Sequence, residues 1–341
     1  MPNFGKFANR IRMVSGYYFP KLNSSAYPQE VVIELTNHCN LACKMCPHRT
    51  MTRPKGFMNE PLFRKIIDEI NGKSELVYLY GTGESLLHKK LSDFISYAKS
   101  KGLETCLSTN GIPMNAEVSE QLLTSGLDYL IVALDGGTKE TYEKIRVKGN
   151  FDVLIANIKT LLRYKASLDS KTKICLQMIY MEENAREIEL FKNLFTPEEK
   201  LQVTQYRFKP LYETYALVKK RVYHTRPCYW LWNMMSIYWN GDVALCCMDS
   251  DLTYNLGNVA IQTIQDIWYS EQFMELRNMQ KRLDFEKMPL CATCDIPEQG
   301  YFNTCTILGS VLLDASQVRD IIPLYEKYIL LPFKSHLKKG V

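Results

Sequence analysis

The chain has 341 residues, 46% of them hydrophobic and 23% charged, with 42 Lys and Arg against 37 Asp and Glu for a net charge of +5. That is the composition of a soluble globular protein with room for a large domain and a small one, and it excludes a disordered or fibrous chain. The mild charge gives no argument for nucleic acid, and no apolar run approaches the roughly 20 residues that span a bilayer. Eleven cysteines without a secretory signal point away from disulfides and toward metal or cluster ligation in a reducing cytoplasm.

Residues 1–29 form a basic and aromatic extension. Lys6, Arg10, Arg12 and Lys21 stand there with no acidic residue before Pro28, beside Phe4, Phe7, Ile11, Tyr17, Tyr18 and Phe19. Such a segment suits either a peripheral contact with a membrane surface or an anionic partner, or plain packing on the body of the protein.

From residue 30 to 212 short β-rich runs alternate with amphipathic helical ones. The expected strands are Val31–Leu35, Leu76–Tyr80, Thr105–Ser108, Tyr129–Leu134, Ile174–Tyr180 and Thr204–Lys209. Between them Phe63, Ile66, Ile67 and Ile70, then Leu91, Phe94, Ile95 and Ala98, follow one helical stripe each. Six β-then-α units imply an α/β fold with a parallel sheet and right-handed crossovers, an open (β/α)6 partial TIM barrel. Chemistry in such folds gathers at the C-terminal ends of the strands.

Each strand end carries residues suited to that task. After the first strand, Cys39, Cys43 and Cys46 are spaced C-x3-C-x2-C. Three thiols in one tight loop can hold three corners of a [4Fe–4S] cube and leave the fourth iron open. Alternatively, with His38 or His48 they can close around zinc. The second strand ends in Gly81-Thr82-Gly83-Glu84-Ser85, where glycine permits close backbone approach to a ligand and a carboxylate can accept from an ammonium group. Ser108 and Asn110 end the third strand, Asp135 ends the fourth with Arg146 eleven residues on, and Gln177 lies on the fifth.

Taken together and in order, these segments resemble the radical S-adenosylmethionine (SAM) family. The resemblance implies SAM at the open iron, with Gly83 and Glu84 at its amino group. It implies Ser108, Asn110, Asp135, Arg146 and Gln177 around its carboxylate and ribose, and Met45 beside the adenine. Thr82, Ser85, Met45 and Ala133 depart from the usual glycine, proline, aromatic residue and serine.

After Pro210 the alternation stops. Cys228, Cys246, Cys291 and Cys294 then appear in a region running from 225 to 305, spaced C-x17-C-x44-C-x2-C. Gly241, Leu256-Gly257-Asn258 and Leu276-Arg277 accompany them, and the whole resembles the SPASM/twitch extension found in part of the same family. Four thiols are enough for one auxiliary [4Fe–4S] cluster, and a structural zinc site is the alternative for this set taken alone. Asp249 is a candidate base and Cys247 a candidate hydrogen donor beside that set. Cys106 and Cys175 lie inside strands and are expected in the core, Cys305 is unassigned, and 306–341 is expected to be a helical tail.

The resemblance extends to aminocyclitol dehydrogenases of the group and implies oxidation of a carbohydrate-like small molecule, alcohol to ketone, with a flavodoxin- or ferredoxin-type electron donor. Gln205, Arg207 and Lys209 alternate on the sixth strand; facing the barrel they would favour an anionic sugar or nucleotide-sugar, facing solvent they mean little. The alternatives are a peptide-modifying maturase or epimerase, and a non-catalytic zinc protein. Only about 30 residues precede the first strand, which favours a small substrate over a gripped leader peptide.

Overall fold

The computed structural model describes residues 4–19, 26–211 and 222–298; Cys305 and the tail expected over 306–341 lie outside the described residues. Helix α1 (Phe4–Tyr18) leads into six parallel strands: β1 (Glu30–Ile33), β2 (Leu76–Tyr78), β3 (Glu104–Thr109), β4 (Tyr129–Ala133), β5 (Lys173–Tyr180) and β6 (Gln205–Pro210). They are neighbours in sequence order, and every expected strand is present. Helices α2 (Glu60–Ile70), α3 (Leu91–Ser100), α4 (Ala116–Thr124), α5 (Lys139–Ile145), α6 (Phe151–Ser167), α7 (Ile188–Lys192) and α8 (Pro197–Gln202) fill the crossovers.

The helices begin where short polar side chains can cap free N–H groups. Asn59, Asn115, Thr138 and Asn150 each accept a hydrogen bond from a backbone amide in the first turn of the helix that follows. The two apolar stripes read from the sequence are buried, and Phe63 stacks on Phe94 with ring centroids 4.1 Å apart. Burying side chains of this size contributes roughly 1.5–3 kcal/mol each, which is what holds the helices to the outer face of the sheet.

The inner face is different. Leu76, Cys106, Tyr129, Ile131 and Cys175 form a small separate cluster there, with Tyr78 and Tyr80 against it. Cys106 and Cys175 are therefore core residues, as expected. On β6 the rings of Tyr206 and Phe208 pack outward on Phe191. Alternation then turns Gln205, Arg207 and Lys209 inward, beside Cys175, Gln177 and Ile179 of β5.

The cysteine-bearing region after residue 222 continues the same sheet. Following α9 (Trp230–Asn233), strand β7 (Met234–Ile237) pairs parallel with β1, and β8 (Asp242–Ala244) and β9 (Asn255–Asn258) add antiparallel, making nine strands. The change of sequence pattern near residue 212 marks no break in the sheet, because β7 covers an edge of β1 that would otherwise stand unpaired. Helices α10 (Ile264–Trp268), α11 (Glu271–Lys281) and α12 (Pro289–Ala292) complete the region.

Helix α1 packs on this assembly. Met13, Val14 and Tyr17 are buried, Tyr17 meets Tyr229 and Trp232 edge-on, and its hydroxyl donates to Pro227 O at 3.0 Å. Arg10 is paired with Glu75 at 2.5 Å, while Phe7, Ile11 and Phe19 stay exposed. Among the described residues no helix is long and apolar enough to cross a membrane.

Candidate active site

The loop after β1 carries Cys39, Cys43 and Cys46, and the chain beyond α5 holds it in place. Ala42 N donates to Val147 O at 2.9 Å and Lys44 N to Ile145 O at 3.0 Å, so the loop lies along the segment that ends in Arg146. Neither flanking histidine is drawn into the thiols. His38 stacks on Phe57 at 4.8 Å, and a His48 ring nitrogen lies 3.0 Å from Asn37 O.

Arg146 is the charged centre of the site. Its Nε and Nη2 grip Asp135 Oδ2 at 2.6 and 2.5 Å, and its Nη1 lies 3.6 Å from Cys43 Sγ. Burial works against the charge of the guanidinium, yet Asp135 and Cys43 outweigh it and hold the group firmly protonated. Asp135 is itself fully buried, its other oxygen accepting from Ile179 N at 2.7 Å. The expected partner of a ligand carboxylate is thus engaged first with Asp135 and a cysteine sulfur.

The Gly-x-Gly-Glu segment packs directly on the cysteine loop. A Cβ on Gly83 would sit 2.3 Å from Thr36 O and 2.6 Å from His38 O, so only glycine fits. Glu84 is 2% exposed and already engaged: Thr109 Oγ1, Asn110 N and Leu86 N all donate to its carboxylate, at 2.8, 2.7 and 3.0 Å. Burial raises its pKa, and those donors oppose the rise. Glu84 therefore joins the ends of β2 and β3. Asn110 in turn donates to Asn40 Oδ1 at 2.9 Å, tying the third strand end to the cysteine loop. Ser108, Gln177 and Met45 are part-exposed, and the side chains of Ser108 and Gln177 have no hydrogen-bond partner among the described residues.

In the second set, Cys228 and Cys291 are buried and Cys246 and Cys294 part-buried, all as free thiols. Burial pushes the Cys246 thiol up, and the charges of Cys247, Cys291, Cys294 and Cys228 push it further, so the four sulfurs are electrostatic neighbours. The first set behaves alike, Cys39 rising to about 11 through burial with Cys43 and Cys46 among its neighbours. Among the described residues no three His, Cys, Asp or Glu side chains converge closely enough to hold one metal ion. A cube, which carries its thiolates on separate irons, needs no such point of convergence. Sulfur-only donors, sheltered from water and unpaired in disulfides, fit that group chemically, since a bound metal deprotonates the thiols that ligate it.

Asp249 is anchored within its own turn. Each of its oxygens accepts from a backbone amide, Thr253 N at 2.7 Å and Tyr254 N at 2.9 Å, at 1% exposure. It closes the loop behind Cys246. Cys247 differs: burial pushes its thiol up to about 12, with Cys294 adding to the rise and Lys209 opposing it.

A link between the two cysteine loops escaped the sequence altogether. Arg53 holds buried Glu34 through Nη1 and Nη2 at 3.1 and 3.0 Å, donates from Nε to Ser250 O at 2.7 Å, and lies 3.6 Å over the Tyr238 ring. Asp251 accepts from the amides of Thr52 and Arg53 at 2.7 and 3.0 Å. Partners almost 200 residues apart leave no local pattern to read. Arg53→Met strands the Glu34 carboxylate and is expected to cost about 3–5 kcal/mol in the urea unfolding free energy. Glu34→Gln in the same background should recover part of that loss; a change under ~1 kcal/mol for Arg53→Met would mean the pair fastens nothing.

The fold and the two cysteine-bearing loops define an iron–sulfur enzyme built on a partial barrel. The model of the radical SAM superfamily matches residues 33–195, and that of the SPASM iron–sulfur cluster-binding domain matches residues 228–295. The chain belongs to the radical SAM superfamily, whose cofactors are [4Fe–4S] clusters and SAM.

The tungsten-containing aldehyde ferredoxin oxidoreductase cofactor-modifying protein of Pyrococcus furiosus is 25% identical over 312 residues, covering 77% of this chain and 86% of that one. Other curated relatives are matched over 41%, 48% and 33% of their own length. Among solved structures, Streptococcus suis SuiB bound to precursor peptide SuiA has a TM-score of 0.61 at 14% identity, over 73% of this chain and 66% of that one. BtrN in complex with AdoMet and 2-DOIA has a TM-score of 0.53 at 17% identity, over 78% and 92%. At such identities the structures speak to the fold alone.

Proposed function

We propose that the protein is a radical SAM oxidoreductase that converts an alcohol of a carbohydrate-like or aminocyclitol small molecule to a ketone. In this reading Cys39, Cys43 and Cys46 hold the cluster that carries SAM, and Cys228, Cys246, Cys291 and Cys294 hold one auxiliary [4Fe–4S] cluster. When bound, SAM on the first cluster supplies a 5′-deoxyadenosyl radical for hydrogen-atom abstraction, and the auxiliary cluster supplies an acceptor for the electron an oxidised substrate gives up.

The chain's own residues shape the rest. The loop at Gly83 offers backbone carbonyls to the SAM ammonium, and Glu84 fixes that loop through Thr109 and Asn110. Ser108 and Gln177 supply open polar groups on the inner face, Met45 an apolar cover for the adenine. Arg146, anchored by Asp135, presents positive charge beside Cys43 and the SAM carboxylate. A flavodoxin- or ferredoxin-type protein in the cytoplasm serves as electron donor.

The observation that carries the substrate class is the inward row of Gln205, Arg207 and Lys209, paired in register with Cys175, Gln177 and Ile179. A cationic, hydrogen-bonding strip at the inner strand ends suits a hydroxylated or phosphorylated sugar. A second reading, epimerisation or peptide modification, draws support from Cys247 next to Cys246, a thiol that can return a hydrogen atom and be restored by one electron from the donor protein and a proton.

Anaerobic incubation with dithionite, SAM and deuterated candidates separates the two. The first reading expects deuterium in 5′-deoxyadenosine and a product two mass units lighter than an unlabelled substrate. The second expects a product with the mass of unlabelled substrate in H2O and one unit heavier in D2O. Label transfer from a peptide and from no sugar or aminocyclitol would sink the first.

A further inference from the structure

Beyond the cysteines themselves, one side chain touches two of the four thiol-bearing positions of the second set. Gln280 lies in the last turn of α11 with no exposed surface. Its Oε1 accepts from Cys228 N at 2.7 Å, and its Nε2 donates to Cys291 Sγ at 3.4 Å. The orientation of the amide is settled by chemistry, because a backbone N–H can only donate. Oxygen must therefore face Cys228, and the NH2 group must face the sulfur.

We propose that Gln280 is a positioning residue that joins Cys228 to Cys291 and raises the reduction potential of the cluster these cysteines hold. The proposal rests on the reading that Cys228, Cys246, Cys291 and Cys294 bind an auxiliary [4Fe–4S] cluster. One-electron reduction adds a negative charge that spreads onto the ligating sulfurs. A donor aimed at one of them stabilises the reduced form more than the oxidised form. Burial strengthens the effect, since no water competes for the sulfur and the local dielectric is low. The consequence is functional: an auxiliary cluster that is easier to reduce is a better acceptor for an electron leaving a substrate radical. The first set has a separate donor, Arg146 on Cys43, and is not touched by Gln280.

The test uses the full chain, reconstituted anaerobically, with Gln280→Leu and Gln280→Glu. Leucine removes both hydrogen bonds at similar volume; glutamate keeps an acceptor for Cys228 N and replaces the donor to sulfur. Iron and sulfide are counted, and each cluster's midpoint potential is followed by electron paramagnetic resonance during a redox titration. In the wild type about eight irons per chain are expected from two cubes.

Both variants are expected to lower the auxiliary potential by about tenfold in the reduction equilibrium, roughly 59 mV for one electron, with the first cluster unmoved. An unchanged auxiliary potential in a variant that keeps about eight irons overturns the proposal. So does loss of the second cluster from both variants, which would confine Gln280 to holding the cysteines in place. If the wild type itself holds about four irons, the reading of the four cysteines has failed first, and the count says so independently of any potential.

Discussion

Cys43→Ala is expected to bring reductive SAM cleavage to background, with no 5′-deoxyadenosine formed in the presence of dithionite and SAM. Cys43 is 5% exposed in a loop pinned at Ala42 and Lys44, and its sulfur is the one that Arg146 contacts. Alanine leaves that loop with two thiols, too few for the cube to be held with one open iron. Iron content should fall from about eight to about four per chain, because the second cysteine set is untouched. Circular dichroism should change little, since the removed sulfur makes no contact that fastens the fold other than the one to Arg146, which keeps Asp135; the urea midpoint of the reconstituted variant should fall by what the lost cluster contributed. Persistent cleavage at more than a few per cent of the wild-type rate would mean that the first loop is not the SAM-cleaving centre.

Cys291→Ala is expected to separate the two halves of the chemistry. The variant should still make 5′-deoxyadenosine from SAM while forming no oxidised product, again with about four irons per chain. The physical reason is distribution of roles. The first loop is held by α5, by Gly83 and by Asn110, none of which touches Cys291. Cys291 instead shares Gln280 with Cys228 and offers its carbonyl to His224 at 2.9 Å. Equal loss of cleavage and of product in this variant would count against a separate electron-accepting role for the second set. A variant that still forms ketone with only one cluster would remove that role entirely.

Much of the site was legible because its determinants are local. The spacing of Cys39, Cys43 and Cys46 sits in eight residues, and Gly83 with Glu84, Asn110 and Asp135 each follow directly from a strand whose β-rich run is visible in the chain. Other residues stand where expected and carry chain contacts the sequence did not show. Asp249 stands beside the second set as expected, yet its carboxylate closes its own turn. Glu84 is at the expected strand end, and three donors from the chain reach it there. A sequence shows which acids are near a ligand and not how many backbone amides reach them first.

The sequence by itself determined the alternation of strands and helices, the two cysteine sets and the order of the motifs, since periodicity and ligand spacing act over a few residues to a few turns. Only the tertiary structure decided that β7 closes onto β1, that Arg53 clamps Glu34 to the Ser250 loop, that Gln280 spans Cys228 and Cys291, and that Gln205, Arg207 and Lys209 look inward. Those contacts join positions as much as about 200 residues apart in the chain. They are set by which sheet edge was left unpaired and which buried charge or amide needed a partner, and neither leaves a mark on the neighbouring residues.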